Sequence, residues 1–74
     1  MTGLRPVPGR KLLRVLQEFG YTVIGQKGSH VKLRRPDGKT TVVPLHAARD
    51  IKVGLLRKIL REAGIEPEEF LKHV

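Results

Sequence analysis

Two turn signals, Lys27-Gly28-Ser29 and Pro36-Asp37-Gly38, bracket the run His30-Val31-Lys32-Leu33-Arg34-Arg35. Gly28 can supply the positive φ of a tight hairpin, and Pro-Asp-Gly is a second hairpin signal. Between them the residues alternate: Val31 and Leu33 point one way, His30, Lys32 and Arg34 the other. That is the pattern of a middle strand. A β-prone stretch at 21–26 precedes it and another at 40–45 follows it. Pro44 cannot donate to a ladder, so the last strand suits a sheet edge, where a three-stranded meander would put it.

Helices flank the meander. Pro8 and Gly9 open the first, with proline pre-set for its first turn. Leu12, Leu13, Val15, Leu16 and Phe19 recur at three- and four-residue spacing, and Gly20 stops the helix. Leu55, Leu56, Ile59, Leu60 and Ala63 repeat the pattern in a second helix that ends at Gly64, with Asp50 as its expected cap. Glu66-Pro67-Glu68-Glu69 opens a short third helix that turns Phe70 and Leu71 inward. The expected fold class is α+β in the order α-β-β-β-α, with a short C-terminal helix. A three-stranded antiparallel sheet would carry helices on one face and leave the other open. We expect one domain over residues 1–74, with 1–7 an irregular lead-in, and His30, Lys32 and Arg34 sharing the open face.

Size and charge narrow the function. A chain of 74 residues buries only about 60% of its unfolded surface, so an open face or shallow cleft is expected rather than an enclosed cavity. Phe19, Tyr21 and Phe70 are its only aromatic residues of the Phe, Trp and Tyr types, too few for base-stacking platforms. The absence of cysteine excludes disulfides and zinc ribbons; a small secreted domain usually needs such staples, which favours the cytoplasm. No signal-peptide run and no membrane span is present. The net charge is +8, and it is uneven. Residues 21–44 hold five basic side chains against one acidic, whereas residues 45–74 hold six against five. A basic sheet side points to a polyanion such as RNA, the plainer alternative being a solvated surface without a ligand.

Histidine is the side chain best suited to proton transfer near neutral pH. RNA needs little else to be cut, because its own 2′-hydroxyl can attack the adjacent phosphate while cations hold the developing charge. His30 beside Lys27, Lys32 and Arg34 is that minimal set. His46 could be a second acid or base, or a loop histidine bonded to backbone, the latter being favoured. His73 sits by the C-terminus and reads as exposed. The Ser29 hydroxyl should satisfy the turn backbone, with phosphate contact a lesser option. Nothing calls for a metal or a cofactor: no carboxylate or cysteine stands at ligand spacing from a histidine. Arg57, Lys58 and Arg61 form either a solvated helix face or a docking surface for an acidic partner.

Taken together, several stretches resemble the HicA-type toxins of toxin–antitoxin pairs, which are small mRNA interferases. They are Phe19-Gly20-Tyr21, Gln26-Lys27-Gly28-Ser29-His30, Val43-Pro44-Leu45-His46, the run from Gly54 to Ile65, and Glu68-Glu69-Phe70-Leu71. The likeness covers residues 8–71. It implies a double-stranded-RNA-binding-domain-like fold, endoribonuclease activity on mRNA with His30 as the catalytic residue, and neutralisation by a HicB-type antitoxin. One position departs, Leu55 standing where many members carry Thr, which bears on capping of the second helix. Around catalytic His30, Lys27, Gly28, Ser29, Lys32 and Arg34 are the expected RNA-binding residues. The alternatives are a non-catalytic RNA-binding module on the same basic face, and a module that docks an acidic protein.

Overall fold

The computed structural model describes residues 3–46 and 49–74. Its elements run β1 (Val7–Pro8), α1 (Gly9–Glu18), β2 (Thr22–Lys27), β3 (His30–Arg34), β4 (Thr40–Pro44), β5 (Asp50–Ile51), α2 (Val53–Ala63) and α3 (Pro67–Leu71). Strands β2, β3 and β4 form an antiparallel sheet in that order, so the alternating strand is the middle one and β4 an edge, as its proline requires. The fold is α+β, with the expected three-stranded sheet and a short C-terminal helix.

Both long helices end alike. The Gly20 N–H donates to the Gln17 carbonyl (3.0 Å) and the Tyr21 N–H to that of Leu16 (3.1 Å). At the end of α2 the Gly64 N–H donates to Arg61 (3.1 Å) and the Ile65 N–H to Leu60 (2.9 Å). Each is a left-handed glycine stop followed by a buried apolar residue, which turns the chain back onto the core. Tyr21 uses its position twice. Its ring is buried, and its hydroxyl donates to the Ala63 carbonyl (2.8 Å), tying the exit of α1 to the end of α2. Burial pushes the Tyr21 phenol pKa up, against the opposing effect of the Arg35 guanidinium.

The core lies between the inner face of β3 and β4 and the three helices. Leu12 and Leu16 of α1, Leu33 of β3, Val43 of β4, Leu56, Ile59 and Leu60 of α2 and Phe70 of α3 are all buried in it. Burying apolar area at about 25 cal/mol per Å² is what holds these layers together. The helical cover stops short of β2, whose residues are exposed throughout; Val23 keeps 40% and Ile24 52% of its surface in water. The β2–β3 register shifts between Val23 and Gly25, an irregularity of the kind a bulge makes.

Three expectations are corrected. The lead-in is not wholly irregular: Val7 pairs with Ile51 and Pro8 with Asp50, so β1 and β5 form a small second sheet. Two-residue strands have no periodicity to read. Because Asp50 lies in that pairing, it does not cap α2; Lys52 takes the N-cap place without a side-chain cap bond, and Leu55 offers none. Leu55, expected on the apolar stripe, is 40% exposed, since it lies one residue round from the buried Leu56.

One polar group in this core has no partner. Thr41 is 3% exposed on the inner face of β4, and its hydroxyl makes no hydrogen bond among the described residues. Burying a hydroxyl unpaired costs about 1–3 kcal/mol. Thr41→Val, which keeps the volume, is therefore expected to hold or raise stability by about 1 kcal/mol. A lower urea midpoint than wild type would mean that the hydroxyl has a partner after all.

Candidate functional site

The open face of the sheet is built by register. Lys27, His30 and Pro44 stand side by side across the three strands, then Gly25, Lys32 and Val42, then Thr22, Arg34 and Thr40. Rows two residues apart along a strand are separated by about 6.6 Å. His30, Lys32 and Arg34 are exposed, while Val31 and Leu33 between them are buried. Thus the face expected to be open does hold the three residues expected on it, and Lys27 joins them directly opposite His30.

The turn behind His30 is a two-residue hairpin in which Gly28 has φ +59°, a conformation that an L side chain strains to adopt. Gln26 braces it, the side-chain amide donating to the Gly28 carbonyl (3.1 Å). That is the part expected of the Ser29 hydroxyl. Ser29 instead contributes its backbone carbonyl, which accepts from the Leu45 N–H and extends the β3–β4 ladder past the end of the strand.

Arg34 and Arg35 separate cleanly. Arg34 faces the open side. Arg35 lies over the Tyr21 ring (5.1 Å to the centroid) and pairs with Asp37 (2.8 Å) at the β3–β4 turn. The guanidinium of Arg35, then the Lys39 backbone N–H, hold the Asp37 carboxyl below the usual carboxylate range. The turn carboxylate is thereby engaged away from His30, and strands β2 to β4 themselves carry no acidic residue. A phosphate on this face would meet cations and an imidazole.

His46 lies in the loop after β4, as expected, and its ring comes close to the open face. Its ring lies 6.3 Å from that of His30, centroid to centroid, at an interplanar angle of 85°. Sequence held a usable signal: with Pro44 beside His30, a residue two positions further along an extended chain returns to the same side. Both rings line an open cleft of about 510 Å³, with Leu55, Lys58 and Glu62 of α2 on its far wall. A second cleft, about 420 Å³, is lined by His46, Arg10, Gln26 and Arg49 among others. Lys58, Arg10 and Arg49 were not expected near the site; Arg57 and Arg61 are exposed on α2. His73, as expected, is toward solvent; its Nδ1 meets the Glu18 carboxylate (2.8 Å) and its ring packs, tilted by 55°, against Phe19.

No group of three His, Cys, Asp or Glu side chains that could hold a metal ion occurs among the described residues. No helix there is long and apolar enough to cross a membrane. Comparison with known proteins gives a match over residues 9–65 to the family model described as the HicA toxin of bacterial toxin–antitoxin. The matched span runs from the first residue of α1 to the residue after Gly64, so it includes the whole open face and both histidines. No curated protein matches the chain.

Proposed function

The chain belongs to the HicA toxin family of bacterial toxin–antitoxin systems, and we propose that it acts as an mRNA interferase, an endoribonuclease centred on His30. An antitoxin partner follows from the family; a HicB-type protein covering the open face is the form proposed here, with the cytoplasm as the place of action. The observation that carries this reading is His30 at the head of β3, solvent-exposed, in one row with Lys27 and on one face with Lys32 and Arg34.

The chemistry runs without a metal. The 2′-oxygen of one nucleotide attacks its own 3′-phosphorus, and the bond from phosphorus to the 5′-oxygen breaks. The products are a 2′,3′-cyclic phosphate and a 5′-hydroxyl. His30 carries a proton in this step, the general acid–base work for which histidine is the most frequent side chain. Lys27, Lys32 and Arg34 hold the phosphate and the negative charge that grows on it. Gly28 and Ser29 fix the turn that presents His30.

A long single-stranded RNA incubated with the purified protein in EDTA is the test. Cutting with cyclic-phosphate ends is expected. RNA binding that weakens steeply with salt, but without any cutting, would instead support a binding module on the same face.

A further inference from the structure

One proton transfer does not complete the reaction. As the 2′-oxygen attacks phosphorus it must lose a proton, and as the 5′-oxygen leaves it must gain one. Lysine and arginine keep their protons at neutral pH, so the cations around His30 serve as charge, not as acid–base groups. A second acid–base group within reach of the same phosphate would let both transfers be served by positioned side chains.

Building on the role of His30 in RNA cleavage, we propose that His46 is that second group, so that the site works with a pair of imidazoles. One takes the proton from the 2′-hydroxyl and the other gives its proton to the departing 5′-oxygen, leaving the pair with the charge it started with. The rings stand 6.3 Å apart at 85° and line one cleft. A single phosphoryl group at the mouth of that pair can be approached by both, given the usual reach of about 2.6–3.2 Å for proton transfer.

The fold holds the pair from two sides. Pro44 is opposite His30 in the ladder, and the Leu45 N–H donates to the Ser29 carbonyl, so the chain leading to His46 is bonded to the turn that presents His30. Gly9, at the start of α1, presses on the same segment so closely that a Cβ there would lie 2.6 Å from Leu45 Cδ2. His46 is thus delivered by a braced segment. It also borders the cleft lined by Arg10 and Arg49, which offers cations to the next phosphate along the strand.

The test is a pH–rate profile of single-turnover RNA cleavage in EDTA for the wild type, His46→Asn and His30→Ala, with RNA affinity measured alongside. The other charged groups facing the pair are Lys27 of β2, Lys32 of β3, Lys58 and Glu62 of α2, Arg10 of α1, Arg49, and Asp50 of β5. Side chains of those types ordinarily titrate outside about pH 5–8, so limbs in that window report the imidazoles. A bell is expected for the wild type. His46→Asn should lose one limb and fall about 100-fold or more at the optimum, with RNA affinity nearly unchanged. An RNA whose leaving 5′-oxygen is replaced by sulfur needs little protonation, and it should rescue one histidine variant but not the other, naming the acid.

Full activity in His46→Asn overturns the pairing while leaving the role of His30 intact. A slower enzyme that keeps both limbs also overturns it, since His46 would then only position its neighbours. If the wild type does not cut in EDTA, the pairing falls together with the ribonuclease reading itself. His46 is exposed, so the variant is expected to fold, and a thermal melt checks it.

Discussion

His30→Ala should abolish RNA cleavage while the protein keeps its fold and most of its affinity for RNA. The imidazole is exposed at the start of β3 and contributes nothing to the core, so truncating it leaves the buried contacts in place. Surface changes of that kind usually move stability by less than about 0.5 kcal/mol. Loss of a positioned acid or base, by contrast, lowers a rate by about 10²–10⁴-fold. Binding should fall little, because Lys27, Lys32 and Arg34 remain to meet the phosphates and salt-dependent contacts dominate affinity. Single-turnover cleavage, a filter-binding titration and a thermal melt read the three quantities separately. A variant that melts like wild type and still cuts at a comparable rate removes His30 from the chemistry.

The largest expected effect on stability lies far from that face. Phe70 is 0% exposed and anchors the five-residue α3 in the common core. Truncating a buried Phe to Ala costs about 3–5 kcal/mol through lost transfer energy and the cavity left behind. A 74-residue domain, at about 0.05–0.15 kcal/mol per residue, has roughly 4–11 kcal/mol in total. Phe70→Ala should therefore leave the protein marginal, with a much lower urea midpoint and an unchanged slope. A shift below about 1 kcal/mol would mean that α3 only rests on the surface.

The local part of the fold is legible in single residues. Val31 and Leu33 went inward and His30, Lys32 and Arg34 outward because alternation is a property of any extended chain, wherever it ends up. Gly20 and Gly64 stopped their helices for an equally local reason. The role of Asp50 is not legible locally, because it depends on Pro8, a residue distant in sequence that no pattern links to it. Val23 and Ile24 look like core residues by type; they are exposed because the helices pack over β3 and β4 and do not reach β2.

The meander, its two turns, the apolar stripes of the helices and the cationic character of the strand face that presents His30 are encoded locally. All of these follow from interactions between residues a few positions apart, which periodicity and turn chemistry encode directly. Three features come from packing across the chain: the imidazole that stands beside His30, the placing of Arg10, Arg49 and Lys58 along the clefts, and the turn of Arg35 away to Tyr21. Those outcomes depend on where β4 leads the chain and on how α1 and α2 pack against it. Such long-range packing arises from burying the whole core at once, so no short stretch of sequence carries it.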